Sequence, residues 1–305
     1  MKTFYHHSHG KLLITGEYVV LDGALSLAVP TKFGQSLKVE GTDSKKIIWK
    51  SLAENGNVWF EGEFQMKMNA ITTSHAPLND VLKRLIQILN TAKTLNPEFL
   101  KTNEGLEITT TLDFPRNWGL GTSSTLINNI AQWAKIDAFQ LLERTFGGSG
   151  YDIACAQNQG AITYQIKDSS HIAKPVDFNP DFKQQLYFVH LNKKQNSREG
   201  IKHYHANKGN ATGLIKHINT ITEKMIVAET LKDFEPLVEA HEDLIGNITN
   251  QTPVKTLFFN DFEGAIKSLG AWGGDFILVT SKTNPTAYFN KKGFATVIPY
   301  AEMVL

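Results

Sequence analysis

Pro115-Arg116-Asn117-Trp118-Gly119-Leu120-Gly121-Thr122-Ser123-Ser124 is the stretch on which the reading of this chain turns. An alternating, threonine-rich segment, Leu106 to Leu112, precedes it, and Leu126, Ile127, Ile130 and Trp133 follow at helical spacing, so the order is strand, glycine loop, helix. Glycines let a backbone approach a ligand closely, and the first-turn amides of a helix point outward without partners, so such a loop favours phosphate. Thr122, Ser123 and Ser124 add hydroxyls that donate to phosphate oxygens or ligate Mg²⁺. A plain turn with Thr122 as helix cap accounts for the same letters equally well, and the absence of G-x-x-x-x-G-K-[ST] excludes a Walker-type loop.

On either side of the loop, strand-like and helix-like stretches alternate without a fixed repeat, which predicts an α+β chain. Gln35 to Glu40, Ile47 to Trp49 and Val58 to Phe60 read as strands, with Glu54-Asn55-Gly56-Asn57 turning between the last two. Val81, Leu82, Leu85, Ile86 and Leu89 mark a helix from Leu78 to Ala92. Further strands are expected at Ala161 to Ile166, Leu186 to Leu191, Phe276 to Thr280 and Ala295 to Ile298, and helices at Thr212 to Leu231 and Phe234 to Ile245. The proline-bearing segment from Lys174-Pro175 to Asn179-Pro180 is the expected linker, dividing the chain into domains 1–175 and 176–305.

Composition narrows the function. The 305 residues are 41% hydrophobic and 20% charged, with 31 basic against 30 acidic side chains, the profile of a globular protein with no basic excess for nucleic acid. No apolar run reaches the roughly 20 residues a membrane helix needs, and Met1 to His7 carries no apolar signal region, so a cytoplasmic protein is expected. Cys155, the one cysteine, can form neither an intramolecular disulfide nor a cysteine zinc site. His6 and His7 fall on opposite faces of any strand, which argues against a metal there.

Two more stretches give the glycine loop its meaning. His9-Gly10-Lys11-Leu12-Leu13-Ile14-Thr15-Gly16-Glu17-Tyr18 precedes it, and Lys267-Ser268-Leu269-Gly270-Ala271-Trp272-Gly273-Gly274-Asp275 follows near the end of the chain. In order and spacing the three resemble the motifs of the GHMP small-molecule kinases, over essentially the whole chain. The mevalonate kinase and phosphomevalonate kinase branch is the most similar: Gly16-Glu17-Tyr18 and Gly273-Gly274-Asp275 lean toward phosphomevalonate kinases, whereas Gln195-Asn196-Ser197-Arg198 resembles a mevalonate kinase segment. Glu143 and Ser149-Gly150-Tyr151-Asp152 resemble the family's Mg²⁺-ligating glutamate and its Ser-Gly-x-Asp element.

The resemblance implies a two-domain fold, with an N-terminal ATP-loop domain and a C-terminal ferredoxin-like α+β domain. It implies transfer of the γ-phosphoryl of Mg·ATP to mevalonate or phosphomevalonate in isoprenoid precursor synthesis, by a monomer or homodimer acting on a small anionic substrate. Asp152 would take the proton of the acceptor hydroxyl, and Lys11 would stabilise the alkoxide. Asn117, Trp118, Gly119, Leu120, Gly121, Thr122, Ser123 and Ser124 would wrap the phosphates, with Ser123 and Glu143 on Mg²⁺. Glu17, Tyr18, Ser197, Arg198, Gly270, Ala271, Gly273 and Gly274 would face the substrate. Asn117, Trp118 and Trp272 depart from the pattern, standing where the family has glycine or a small residue. Two alternatives stay open: a GHMP kinase for a sugar or other small alcohol, and, because of Trp118 and Trp272, a catalytically idle GHMP-fold binding protein.

Overall fold

The computed structural model describes residues 3–74, 79–101, 104–194, 197–209 and 211–305, with the backbone but not the side chains of Ser197 and Arg198. The chain forms two compact units, neither continuous in sequence. The first comprises Met1–Gly10, Phe33–Arg116 and Gly121–Gln157; the second comprises Lys11–Lys32, Asn117–Leu120 and Asn158–Leu305. The expected boundary between residues 175 and 176 lies within the second unit.

Strands β1 (Phe4–Leu13) and β2 (Ser26–Thr42) each contribute to both units. The first unit continues through β3 (Ile47–Leu52), β4 (Val58–Lys67), β5 (Ala70–Thr72), α1 (Asp80–Leu95), β6 (Gly105–Leu112), α2 (Thr122–Ala134), α3 (Ala138–Glu143) and α4 (Tyr151–Gln157). Its sheet runs in the order β5-β4-β3-β6-β2, with β3 parallel to β6 and the other pairs antiparallel. Alternation along β3 turns Ile47 and Trp49 inward, where they meet Ile108 of β6 and the apolar stripes of α1 (Leu85, Ile88, Leu89) and α2 (Ile127, Ile130). Asn79 caps α1 by accepting the Leu82 amide at 2.8 Å, which starts the helix at Asp80.

The second unit adds β7 (Ile162–Lys167), β8 (Ser170–Pro175), β9 (Leu186–His190), α5 (Ser197–Asn207), α6 (Thr212–Ile226), α7 (Leu231–Thr249), α8 (Val254–Phe258), β10 (Ile266–Ser268), β11 (Phe276–Thr280), α9 (Thr286–Lys291), β12 (Val297–Pro299) and α10 (Tyr300–Met303). The antiparallel sheet β10-β11-β9-β12 has the strand order and helix insertions of a ferredoxin-like domain. Every residue of β11 is buried, and Val189, Ile266, Ile277, Phe259 and Phe289 pack together around it.

Most expected elements are present with shifted ends. The strand expected at Gln35 to Glu40 is the middle of the longer β2, whose other residues do not alternate cleanly because much of the strand is buried on both faces. The helix expected to run to Leu231 stops at Ile226, since Thr230 accepts the Asp233 amide and starts α7 instead. Lys174 and Pro175 belong to the exposed edge strand β8 rather than to a linker, and an edge position is where a strand tolerates proline. Leu78, the expected start of the first helix, lies outside the described residues.

Candidate functional site

In the first unit, α2 begins at the glycine loop. Gly121 takes the helix-capping position in the left-handed region, at φ 96°, and no side chain caps the helix. The three hydroxyls that follow are not equivalent. Ser124 is buried and its Oγ donates to the Gly121 carbonyl at 2.8 Å, Thr122 is half-buried, and Ser123 is exposed. Glycine at the cap leaves the first-turn amides without a side-chain acceptor, which is the arrangement that takes an anion.

A chain of polar side chains, buried except for Gln157 at its end, fixes how α2 sits. Gln157 of α4 donates to Asn128 Oδ1 at 3.0 Å, Asn128 Nδ2 donates to Ser8 Oγ at 2.8 Å, Ser8 Oγ donates to Asn129 Oδ1 at 2.7 Å, and Asn129 Nδ2 donates to the Gln35 carbonyl at 2.8 Å. Thr125 Oγ1 adds a bond to Gln35 Oε1 at 2.9 Å. Asp152 stands half-buried in the first turn of α4, after a turn with Gly147, Gly148 and Gly150 at φ 67°, 107° and 83°. Arg84 holds that turn by donating to the Thr145 carbonyl at 2.7 Å, with its guanidinium 4.7 Å from the Phe146 ring centre. Glu143 ends α3 exposed, and Cys155 is fully buried. Ser123 and Glu143 offer the hard, exposed oxygen donors that suit Mg²⁺, an ion that keeps much of its shell for phosphate and water. Among the described residues no three or more His, Cys, Asp or Glu side chains converge on a metal position.

In the second unit, Lys11 grips the other half of the loop. Its amide donates to the Leu120 carbonyl at 3.0 Å and its Nζ to the Gly119 carbonyl at 3.1 Å. His190 Nε2 lies 3.2 Å from the Asn117 carbonyl, while its Nδ1 accepts the Asn192 amide at 3.3 Å, so Nε2 carries the proton and donates. Trp118 sits edge-on to Phe276, with ring centres 5.4 Å apart and planes at 90°. Trp272 is 2% exposed and packs with Tyr18, Ala24, Tyr204 and Ile245. The two tryptophans among the three departures thus make packing contacts within this unit.

Glu17 and Tyr18, expected at the substrate, are buried. Lys267 Nζ lies 2.6 Å from Glu17 Oε1 and 3.3 Å from Glu242 Oε1, and it donates to the Ser268 carbonyl at 2.7 Å; neither Lys267 nor Glu17 has exposed side-chain surface. Ser268 Oγ donates to Glu242 Oε2 at 2.8 Å. One ammonium therefore faces two carboxylates in a dry interior. Burial pushes the Glu17 carboxyl up to about 7 against the pull of Lys267, and raises Glu242 as well. Burial, with the Lys267 charge, holds His241 well below its ordinary value. His241 Nε2 accepts the Gly16 amide at 2.9 Å and lies 3.4 Å from Glu17 Oε2, an oxygen with no hydrogen-bond partner among the described residues.

Tyr18 takes a left-handed φ of 64°, unusual for an aromatic residue, and is held there from several sides. Its ring stacks on Tyr204 at 5.9 Å, and its hydroxyl accepts the Trp272 amide at 3.2 Å. The first motif is thereby tied to the Gly270–Gly274 turn, in which Gly270 and Gly273 have φ of 61° and 81° and Ala271 and Gly274 are buried. Ser197 and Arg198 open α5 with side chains outside the described residues, as are Gln195 and Asn196 altogether. Sequence reasoning missed His241, Glu242 and the role of Lys267. A lysine inside Ala265-Ile266-Lys267-Ser268-Leu269 was the available signal, because an apolar strand buries the charge it carries.

No protein-family model and no curated protein sequence matches the chain. Solved structures do. Mevalonate kinase from Methanococcus jannaschii superposes with a TM-score of 0.70 at 16% identity, covering 97% of each chain. Phosphomevalonate kinase from Streptococcus pneumoniae, in complex with phosphomevalonate and AMPPNP, gives 0.67 at 15% identity over 95% of each chain. Galactokinase from Lactococcus lactis, complexed with galactose, gives 0.63 at 17% identity over 95% of this chain and 88% of that one. The chain has the GHMP small-molecule kinase fold, which kinases of isoprenoid acids and of sugars share.

Proposed function

We propose that the protein is an ATP-dependent small-molecule kinase that transfers the γ-phosphoryl of Mg·ATP to mevalonate or phosphomevalonate. The observation that carries the nucleotide part of this reading is the start of α2, with a glycine cap in the left-handed region, no side-chain cap and an exposed Ser123 hydroxyl; the choice of acceptor rests on the sequence motifs. Phosphoryl transfer asks the protein mainly to position donor and acceptor and to neutralise charge on the transferring oxygens. The residues from Asn117 to Ser124 bind the phosphates with backbone amides and hydroxyls, and Ser123 and Glu143 hold Mg²⁺. The ion supplies charge neutralisation on the phosphate oxygens. Asp152 orients the acceptor hydroxyl and receives its proton late, as the loose transition state allows, and Lys11 stabilises the developing alkoxide.

The Gly270–Gly274 turn closes on the substrate, and Glu17 and Tyr18 support that turn from beneath, through the Tyr18 bond to Trp272. Ser197 and Arg198 are the proposed contacts to an anionic acceptor. The two tryptophans give the idle binding protein less support, because Trp272 is buried and Trp118 packs half-buried against Phe276. The test is ADP release from Mg·ATP with mevalonate, phosphomevalonate, galactose and a heptose phosphate offered separately. Turnover with one of the acids is expected; turnover with a sugar alone keeps the kinase and overturns the acceptor, and ATP binding without turnover on any of the four overturns the isoprenoid reading.

A further inference from the structure

Helix α5 carries a glycine in its first turn, Gly200, although glycine is among the poorest helix formers. Tyr18 occupies the place a side chain would take. A β-carbon built at residue 200 falls 2.6 Å from the Tyr18 hydroxyl oxygen and 2.9 and 3.1 Å from two carbons of its ring, so any other residue there would displace the tyrosine. One turn further on, Tyr204 is fully buried and stacks on the same ring at 5.9 Å. Its hydroxyl donates to Asp22 Oδ2 at 2.6 Å, and Lys208, just past the helix, donates to Asp22 Oδ1 at 2.6 Å. Asp22 ends the short 3₁₀ turn Val19–Asp22 that follows Tyr18 directly. The helix is therefore latched to both ends of the segment from Tyr18 to Asp22.

Tyr18 is also tied on its other side. Its hydroxyl accepts the amide of Trp272, the middle residue of the Gly270–Gly274 turn, at 3.2 Å, and the Trp272 side chain packs in one apolar cluster with Tyr18, Tyr204 and Ile245. A shift of α5 is thus felt at the Tyr18 hydroxyl and, one hydrogen bond further, at the turn. The helix opens with the residues proposed above as acceptor contacts, and the turn is the one proposed to close on the substrate. We infer that Gly200 and Tyr204 are positioning residues: through the Tyr18 hydroxyl they let helix α5 set the conformation of the Gly270–Gly274 turn, so that binding of the acceptor depends on the two together.

The inference rests on the reading of α5 and the turn as the acceptor side, and the test separates the two. The full-length chain is labelled with nitrogen-labelled tryptophan, and amide hydrogen exchange is followed by NMR in the native chain, in Gly200→Ala and in Tyr204→Phe, a milder change that keeps the stacked ring. Trp272 is expected to exchange about tenfold faster in both variants, while Trp49 in β3 and Trp133 in α2 keep their native rates. Alanine is the better helix former, so a purely local effect of Gly200→Ala would slow exchange rather than speed it. In steady-state kinetics the KM for the acceptor is expected to rise about tenfold, with the KM for Mg·ATP changed less than about twofold. An unchanged Trp272 rate, or acceleration of all three amides alike, overturns the coupling; faster exchange at Trp272 with both KM values unchanged overturns its consequence for the acceptor. A native chain that turns over no acceptor overturns the kinase reading, and the exchange rates then still decide whether α5 sets the turn.

Discussion

Lys267 Nζ and Glu17 Oε1 meet at 2.6 Å with no exposed side-chain surface on either residue. The pair joins the turn after β1 to the short strand β10, two segments far apart in sequence, and Glu242 of α7 completes the cluster at 3.3 Å. Buried charges of this kind contribute little beyond what a well-packed apolar substitute would, but removing one partner leaves the others uncompensated.

Lys267→Met keeps the length of the side chain and strands two carboxylates. The expected cost is about 3–5 kcal/mol of unfolding free energy in urea denaturation, partly recovered when Glu17→Gln is added. A loss under about 1 kcal/mol would show that the cluster contributes no such penalty.

Glu17 sets a pH dependence whose sign can be worked out. Its carboxyl is held at about 7 in the fold against 4.5 when unperturbed, so its contribution to stability is complete below about 4.5 and is lost as pH rises to about 7. His241, held low, works in the opposite direction: its contribution is present above about 6.5 and fades as pH falls through its lowered folded value. Because the two overlap, the readout is Glu17→Gln against the native chain, with denaturation curves from pH 5 to 8. The difference should move in favour of the glutamine variant by on the order of 2 kcal/mol across that window. A difference that stays flat with pH would place the proton elsewhere in the cluster.

Asp152→Asn preserves the shape of a half-buried residue in the first turn of α4. Loss of a charge at a helix start costs at most about 1 kcal/mol, so folding should survive, while a positioned proton acceptor is worth about 100-fold or more in turnover. ADP release within tenfold of the native rate would remove Asp152 from the chemistry.

The loop and its helix were legible in the sequence because glycine and periodicity are local signals: the strand at Leu106 to Leu112 and the helical spacing from Leu126 correspond to β6 and α2. The strand order of the second sheet was not, since β10 has three residues with no period to detect, and β12, though expected from Ala295 to Ile298, carries no sign of which strand it pairs with. Lys267 could be quoted as part of a motif, but its partner Glu17 lies in another motif, and pairing across the chain leaves no trace in spacing. The direction of Trp118 was hidden for a similar reason, because it depends on Phe276 in β11. Asp275 was visible only as a letter after two glycines until its carboxylate was found against Gly119.

The amide chain through Gln157, Asn128, Ser8 and Asn129 behaves as a keyway for α2. Apolar contacts resist separation but are indifferent to small rotations, whereas a buried amide turned away from its partner loses a directional bond and is left unsatisfied. The azimuth of Ser123 is therefore indexed from further along its own helix, and α4, with Asp152, is keyed to Asn128 through Gln157. Ser123 and Asp152 share a frame set by side chains bonded to one another. Residues elsewhere that face the acceptor can change while the keyway holds the helix that carries Ser123.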